Sequence, residues 1–222
     1  VEVFDLKNTF IFDFDGTIIN TNELINDGLN YFSLMYQGRS LHVDEIESLH
    51  GKPLLEQMKY IDNINYEEIT NYFKKWYLEK HESKAKLFEG IYEVLEFLVS
   101  SNYKLAIVTN NSRETVDLGI RQLGIEKLFH IIVTSDDVVN KKPSPEGLYK
   151  AIEFLNSSKD ECVFIGDSEN DIYAGKNAKI DTVLVGWSIL KNDKRVELNA
   201  EYIIEKPSDL LELIQIVEKN IA

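Results

Sequence analysis

The 222-residue sequence predicts a doubly wound α/β fold, a mainly parallel Rossmann-like sheet interrupted by an inserted all-α domain. Three observations predict it. A short apolar run, Thr9-Phe10-Ile11-Phe12, stops abruptly at Asp13-Phe14-Asp15-Gly16-Thr17, the pattern of a buried strand that delivers polar groups at its carboxyl end. From about residue 22 to 85 apolar residues recur only at helical spacing. Beyond Gly90 strand and helix patterns alternate, as they do in βαβ units.

Taken in order, the first strand is Thr9–Phe12, rich in strand formers and apolar on both faces. The helical stretch carries Leu24, Leu29, Phe32, Leu34 and Met35, then Ile69, Tyr72, Phe73, Trp76 and Tyr77. Strands are then predicted at Lys104–Val108, Ile131–Thr134, Cys162–Gly166 and Thr182–Val185, with helices at Arg113–Leu123, Pro145–Leu155 and Asp171–Ala178 between and after them. Tyr202-Ile203-Ile204 reads as a last edge strand, and Ser208 caps a terminal helix over Asp209–Val217. The first strand belongs to the same sheet as the later ones, so residues 1–19 and 87–222 are predicted to form the core domain and 20–86 the insertion. The first strand is expected in the interior, flanked by the strands that lead to Thr109 and Asp167.

Composition narrows the function. Hydrophobic residues at 44% and charged residues at 28% describe an ordinary globular chain, folded throughout. No run of about twenty apolar residues occurs, and residues 1–8 lack the basic start and long apolar stretch of a secretory signal, so a cytoplasmic protein without membrane association is expected. The single cysteine, Cys162, excludes an internal disulfide and a cysteine metal cluster, and its apolar neighbours predict a buried strand residue rather than a nucleophile. A net charge of −14 argues against nucleic-acid binding. The same charge repels a small anion unless one locally positive site overcomes it.

Two acidic clusters are the candidates for chemistry. Asp13 and Asp15 are two apart at a strand end, a spacing that lets both project toward one crevice, and Gly16 permits a tight turn. An Asp-Gly surface turn is the competing reading. The second cluster, Gly166-Asp167-Ser168-Glu169-Asn170-Asp171, also follows a buried strand. Acids gathered at adjacent strand ends need a cation, and hard oxygen ligands without nearby His or Cys favour Mg²⁺. Asp167 as a simple helix cap is the alternative. Two weaker signals lie between. Thr109-Asn110-Asn111 places a hydroxyl and backbone N–H groups at a strand end, suited either to phosphate oxygens or to helix capping by Asn111 or Ser112. Lys141-Lys142-Pro143 offers an ammonium, or a solvated charge pair in a loop.

In this order, Asp-Phe-Asp-Gly-Thr, Val-Thr-Asn, Lys-Pro-Ser-Pro and Gly-Asp-Ser-Glu-Asn-Asp resemble the four motifs of the haloacid dehalogenase (HAD) superfamily, across almost the whole chain. The insertion after the first motif resembles the helical cap of the subfamily that includes phosphoglycolate phosphatase and β-phosphoglucomutase. The resemblance implies a Mg²⁺-dependent phosphatase acting on a small phosphorylated metabolite. It implies Asp13 as nucleophile, Asp15 as acid and base, Mg²⁺ on the Asp13 carboxylate, the Asp15 carbonyl and Asp167, and the phosphoryl group held by Thr109, Asn110 and Lys142. Asp171 supports the metal through water or orients Lys142. Lys52, in Gly51-Lys52-Pro53, resembles a substrate-binding loop of such caps, with an exposed loop lysine as the alternative.

Other members set the competing functions. An acid at position 15 argues against dehalogenase and phosphonate-hydrolase chemistry, and against a non-catalytic binding protein. Mutase relatives carry a His about ten residues after the second Asp, where this chain has Ile25. Ile19-Asn20-Thr21-Asn22-Glu23 and Gly186-Trp187 resemble bacterial pyrophosphatases of the subfamily, although relatives more often have Asp at position 20. A pyrophosphatase is therefore the main alternative to a phosphate-ester hydrolase. The sequence carries no signal of oligomeric state.

Overall fold

The computed structural model describes residues 7–49, 52–187, 190 and 192–221. Its elements are β1 (Thr9–Phe12), β2 (Ile19–Asn20), α1 (Asn22–Gln37), α2 (Val43–Leu49), α3 (Leu54–Ile61), α4 (Tyr66–Lys84), β3 (Lys86–Leu87), α5 (Ile91–Ser100), β4 (Lys104–Val108), α6 (Arg113–Gln122), β5 (Ile131–Val133), α7 (Glu146–Phe154), β6 (Cys162–Gly166), α8 (Glu169–Ala178), β7 (Asp181–Val185), α9 (Asn192–Leu198), β8 (Tyr202–Ile204) and α10 (Ser208–Ile221). A 3₁₀ turn at Glu126–Leu128 precedes β5. The chain folds as two compact units, one of residues Asn20–Lys86 and one containing β1 and the elements from Leu87 onward. Among the described residues no helix is long and apolar enough to cross a membrane.

In the larger unit the six strands pair in the order β5-β4-β1-β6-β7-β8, every pair parallel. β1 therefore lies inside the sheet, between β4 and β6. The alternation of its side chains shows both faces covered. Phe10 and Phe12 enter a core with Ile91, Val94, Leu95 and Leu98 of α5 and Val116 of α6, while Ile11 packs with Leu148 and Ala151 of α7 and Ala174 of α8. Burying each such aromatic or branched side chain contributes roughly 1.5–3 kcal/mol, so β1 is held firmly at the centre. From β1 the chain runs outward through β4 to β5, then returns to the other side for β6, β7 and β8. Strand order reverses at β1, and ligand crevices open at the carboxyl ends of strands at such a point.

Several boundaries differ from the sequence expectations for physical reasons. α5 is absent from the sequence expectations because its buried stripe of Ile91, Val94, Leu95 and Leu98 sits in a segment with apolar residues on the other faces too, which blurs the helical period. α9 likewise lacks a strong apolar stripe. α8 starts at Glu169, two residues early, because Ser168 and Asp171 form a reciprocal capping box that pulls the first turn back toward β6. The smaller unit packs Leu24, Leu29, Phe32, Met58, Ile69 and Phe73 together, in keeping with helical spacing. Leu34, Met35 and Tyr72 fall on other faces of α1 and α4 and are exposed.

Candidate active site

The register of β1 determines what meets at its end. Phe12 lies opposite Ile107 of β4 and Ile165 of β6, so Asp13 leaves β1 level with Val108 and Gly166, and Thr109 and Asp167 follow one residue on at the ends of the two neighbouring strands. Asp13 is anchored there by its own N–H, which donates to the Ile165 carbonyl at 2.8 Å. The backbone then turns sharply. Ile18 and Ile19 donate to the Phe14 carbonyl, Gly16 donates to the Ile19 carbonyl, and Gly16 takes φ +80°. A Cβ at Gly16 would stand 2.3 Å from Asp167 Oδ2, so the turn and the Asp167 carboxylate occupy the same space only with glycine here.

Lys142 ties the two acidic clusters together. Its ammonium donates to Asp13 Oδ1 at 2.5 Å and to Asp171 Oδ1 at 2.6 Å, with all three side chains buried. Lys141 beside it is exposed. Asp171 has a double engagement, because its Oδ2 accepts from the Ser168 N–H at 3.0 Å and the Ser168 hydroxyl at 2.6 Å. Both Asp171 oxygens are thus occupied by donors. Gly166 allows this close fit, since a Cβ there would meet Asp171 Cβ at 2.3 Å.

The β4 end contributes a rigid turn. Thr109 is buried, donates its N–H to the Val133 carbonyl at 3.0 Å, and accepts from the Asn111 N–H through Oγ1 at 3.1 Å. The Asn110 side chain is spent on the Lys142 backbone, donating to its carbonyl at 3.0 Å and accepting its N–H at 2.8 Å. That pairing positions Lys142. Asn111, which the sequence places in a strand end suited to phosphate oxygens or to helix capping, donates Nδ2 to Asp15 Oδ2 at 2.8 Å. The repeated Asn after Thr109 was the only signal for it. Ser112 is the residue that caps α6.

Lys52 belongs to the smaller unit and is exposed just before α3, where its carbonyl accepts from the Gln57 amide. Gly51 of the same loop lies outside the described residues. Trp187 donates Nε1 to the Thr17 carbonyl at 3.3 Å and packs on Phe88, bracing the turn after Asp15. Cys162 is a buried strand residue whose thiol burial pushes up to about 11.

The electrostatics call for a cation. Oxygens of Asp13, Asp167 and Asp171 all lie within 4.8 Å of one another, and Lys142 is the basic side chain bonded among them. Burial, then the Asp171 charge, pushes the Asp13 carboxyl up to about 7 against the pull of Lys142. Burial and the Asp171 and Asp13 charges also raise Asp167 well above the usual carboxylate range. Burial opposes the Lys142 ammonium, but Asp13 and Asp171 outweigh it and hold its pKa above the ordinary value. Carboxylates this reluctant to ionise fit a site that a hard divalent ion between Asp13 and Asp167 would complete.

A pH dependence of stability follows. Asp13 ionises at 3.8 in its unperturbed state and at about 7 when folded, so between those values the unfolded chain has lost a proton that the folded protein keeps. Stability of the metal-free protein therefore falls as pH rises from 5 to 7, by about 1.4 kcal/mol per pH unit at the steepest. Asp167 acts in the same direction. Glu146 and Glu161 are shifted down from 4.5, so their effects lie below this window. Urea melts in EDTA across pH 5 to 7 measure it, and stability that rises over this range contradicts the site electrostatics.

A parallel α/β sheet gathers carboxylates at the carboxyl ends of its central strands, and the loop before α7 adds a buried lysine. The sequence profile of the haloacid dehalogenase-like hydrolases matches residues 10–185. The chain belongs to that family. It is 38% identical over 208 residues to a protein named pyrophosphatase PpaX from Halalkalibacterium halodurans, covering 93% of this chain and 96% of the relative. A protein of the same name from Listeria welshimeri is 35% identical over 211 residues, with coverages of 93% and 96%. A haloacid dehalogenase-like family hydrolase from Streptococcus pneumoniae shares the fold, with a TM-score of 0.82 over 93% of this chain and 98% of its own at 21% identity.

Proposed function

We propose that this chain is a Mg²⁺-dependent phosphohydrolase of small phosphorylated metabolites that works through an aspartyl-phosphate on Asp13. The observation that carries the reading is the buried Asp13–Lys142–Asp171 bridge beside Asp167. A protein of net charge −14 has here a nucleophilic carboxylate, a fixed ammonium and a cation site in one crevice.

Asp13 attacks phosphorus through Oδ2, the oxygen not held by Lys142. The bond from phosphorus to the leaving oxygen breaks, its electron pair goes to that oxygen, and Asp15 supplies the proton. Asp15, now ionised, removes a proton from water as the water oxygen attacks the same phosphorus. The bond to Asp13 breaks, releasing phosphate and restoring the Asp13 carboxylate and the protonated Asp15. Lys142 and Thr109 neutralise and orient the phosphoryl oxygens. Asp13, Asp167 and the Asp15 carbonyl would hold Mg²⁺, which supplies charge neutralisation at the phosphoryl oxygens when bound. Asp171, with both oxygens engaged, orients Lys142.

A second reading narrows the substrate to inorganic pyrophosphate, favoured by the relatives that carry the pyrophosphatase name over nearly their whole length. The test is turnover of pyrophosphate, phosphoglycolate, sugar phosphates and p-nitrophenyl phosphate with Mg²⁺. The phosphohydrolase reading expects turnover of at least one, and an inert protein overturns it. The narrower reading expects kcat/KM for pyrophosphate to exceed that of every ester by about tenfold or more; an ester turned over faster than pyrophosphate overturns it.

A further inference from the structure

We propose that Asn111 is the residue that aims Asp15, by holding its carboxylate in one orientation toward the leaving group. This rests on the acid and base role of Asp15 given above. Every polar group of Asn111 has a defined partner. Its N–H donates to Thr109 Oγ1 at 3.1 Å, its carbonyl accepts from the Ser135 N–H at 2.9 Å, and its side-chain Oδ1 accepts from the Ser112 N–H at 2.8 Å. What is left is Nδ2, and it donates to Asp15 Oδ2 at 2.8 Å. Turning the amide over would set Oδ1 against the Asp15 carboxylate and an N–H against the Ser112 N–H, so the partners decide its orientation.

The consequence for Asp15 is directional. Oδ2 is held at 2.8 Å by the Asn111 amide, which fixes the orientation in which the Asp15 carboxyl meets a substrate. The turn after β4, braced against β5 through Ser135 and leading into α6 through Ser112, is a rigid element on which to mount such a donor. Asn111 touches neither phosphorus nor leaving group in this account. It is a positioning residue.

The test compares kcat/KM, which reports steps up to leaving-group departure, for an alkyl phosphate and p-nitrophenyl phosphate. The alkoxide of the first must be protonated to leave, whereas nitrophenolate departs without a proton. In Asn111→Ala and Asn111→Asp, kcat/KM for the alkyl phosphate is expected to fall about 10²-fold, the scale of a misplaced reacting group, and for p-nitrophenyl phosphate by less than about threefold. Asn111→Asp keeps the acceptor for the Ser112 N–H, and an unchanged melting temperature in that variant separates positioning from folding. In an Asp15→Asn background, Asn111→Ala is expected to change kcat/KM by less than about twofold, because the group it acts through is gone. Equal losses on both substrates, or losses that multiply with Asp15→Asn, overturn the assignment of Asn111 alone. A wild-type protein inert toward both of these and toward pyrophosphate, phosphoglycolate and sugar phosphates overturns the phosphohydrolase reading and this inference with it.

Discussion

Asp13→Asn is expected to abolish turnover, with a loss on the order of 10⁴-fold or more, the scale seen when a covalent nucleophile is removed. An amide is a poor nucleophile toward phosphorus and a weaker metal ligand than a carboxylate, so one change removes both contributions. The variant should still fold. Lys142 keeps its bond to Asp171, the Asn side chain retains an oxygen for the ammonium, and β1 remains packed through Phe10, Ile11 and Phe12. Loss of a carboxylate that burial already pushes up to about 7 also relieves charge repulsion with Asp167 and Asp171. An equal or higher melting temperature with no activity is thus the expected pair of results. Asp15→Asn leaves nucleophile and ammonium in place and is expected to lose the 10²–10⁴-fold typical of proton transfer. Turnover by Asp13→Asn near the wild-type rate contradicts the assignment.

Removal of divalent metal is the second large effect. EDTA is expected to reduce turnover to background and excess Mg²⁺ to restore it. Ca²⁺, larger and tolerant of irregular geometry, should support little. The same titration has a readout in the protein itself: Mg²⁺ should raise the stability of the folded state and flatten its decline between pH 5 and 7, because a bound cation removes the reason Asp13 and Asp167 resist ionisation. Full activity in chelator contradicts the metal site. A pH slope unchanged by saturating Mg²⁺ contradicts the placement of the ion at Asp13 and Asp167.

The sheet was legible because β1, β4 and β6 are short, continuously apolar and each followed at once by a polar group, so chain order and burial together put Asp13, Thr109 and Asp167 on adjacent strands. The preference for Lys142 over Lys141 agrees with their burial, but it came from resemblance rather than from pattern. What sequence could not supply was the partner of each polar atom. Asn110 and Asn111 are neighbours of identical chemistry, yet one side chain turns to the Lys142 backbone and the other to Asp15. That division depends on the turn after β4 and on the loop before α7, which lie far apart in the chain. The resemblance leaves Asp171 either supporting the metal through water or orienting Lys142, and only the paired contacts with Lys142 and Ser168 show both oxygens taken. In the smaller unit the helical period was legible while the buried face was not, because Leu34, Met35 and Tyr72 are apolar residues on exposed faces.

The central claim is that Asp13 carries the phosphoryl group during turnover. Mixing wild-type protein and the Asp15→Asn variant with p-nitrophenyl phosphate and Mg²⁺, quenching in acid and mapping the modified peptide by mass spectrometry tests it most directly. The account predicts one phosphoryl group per chain on Asp13, accumulating further in Asp15→Asn because that variant cannot activate water against the intermediate. A phosphoryl group on any other residue, or one still formed in Asp13→Asn, contradicts it.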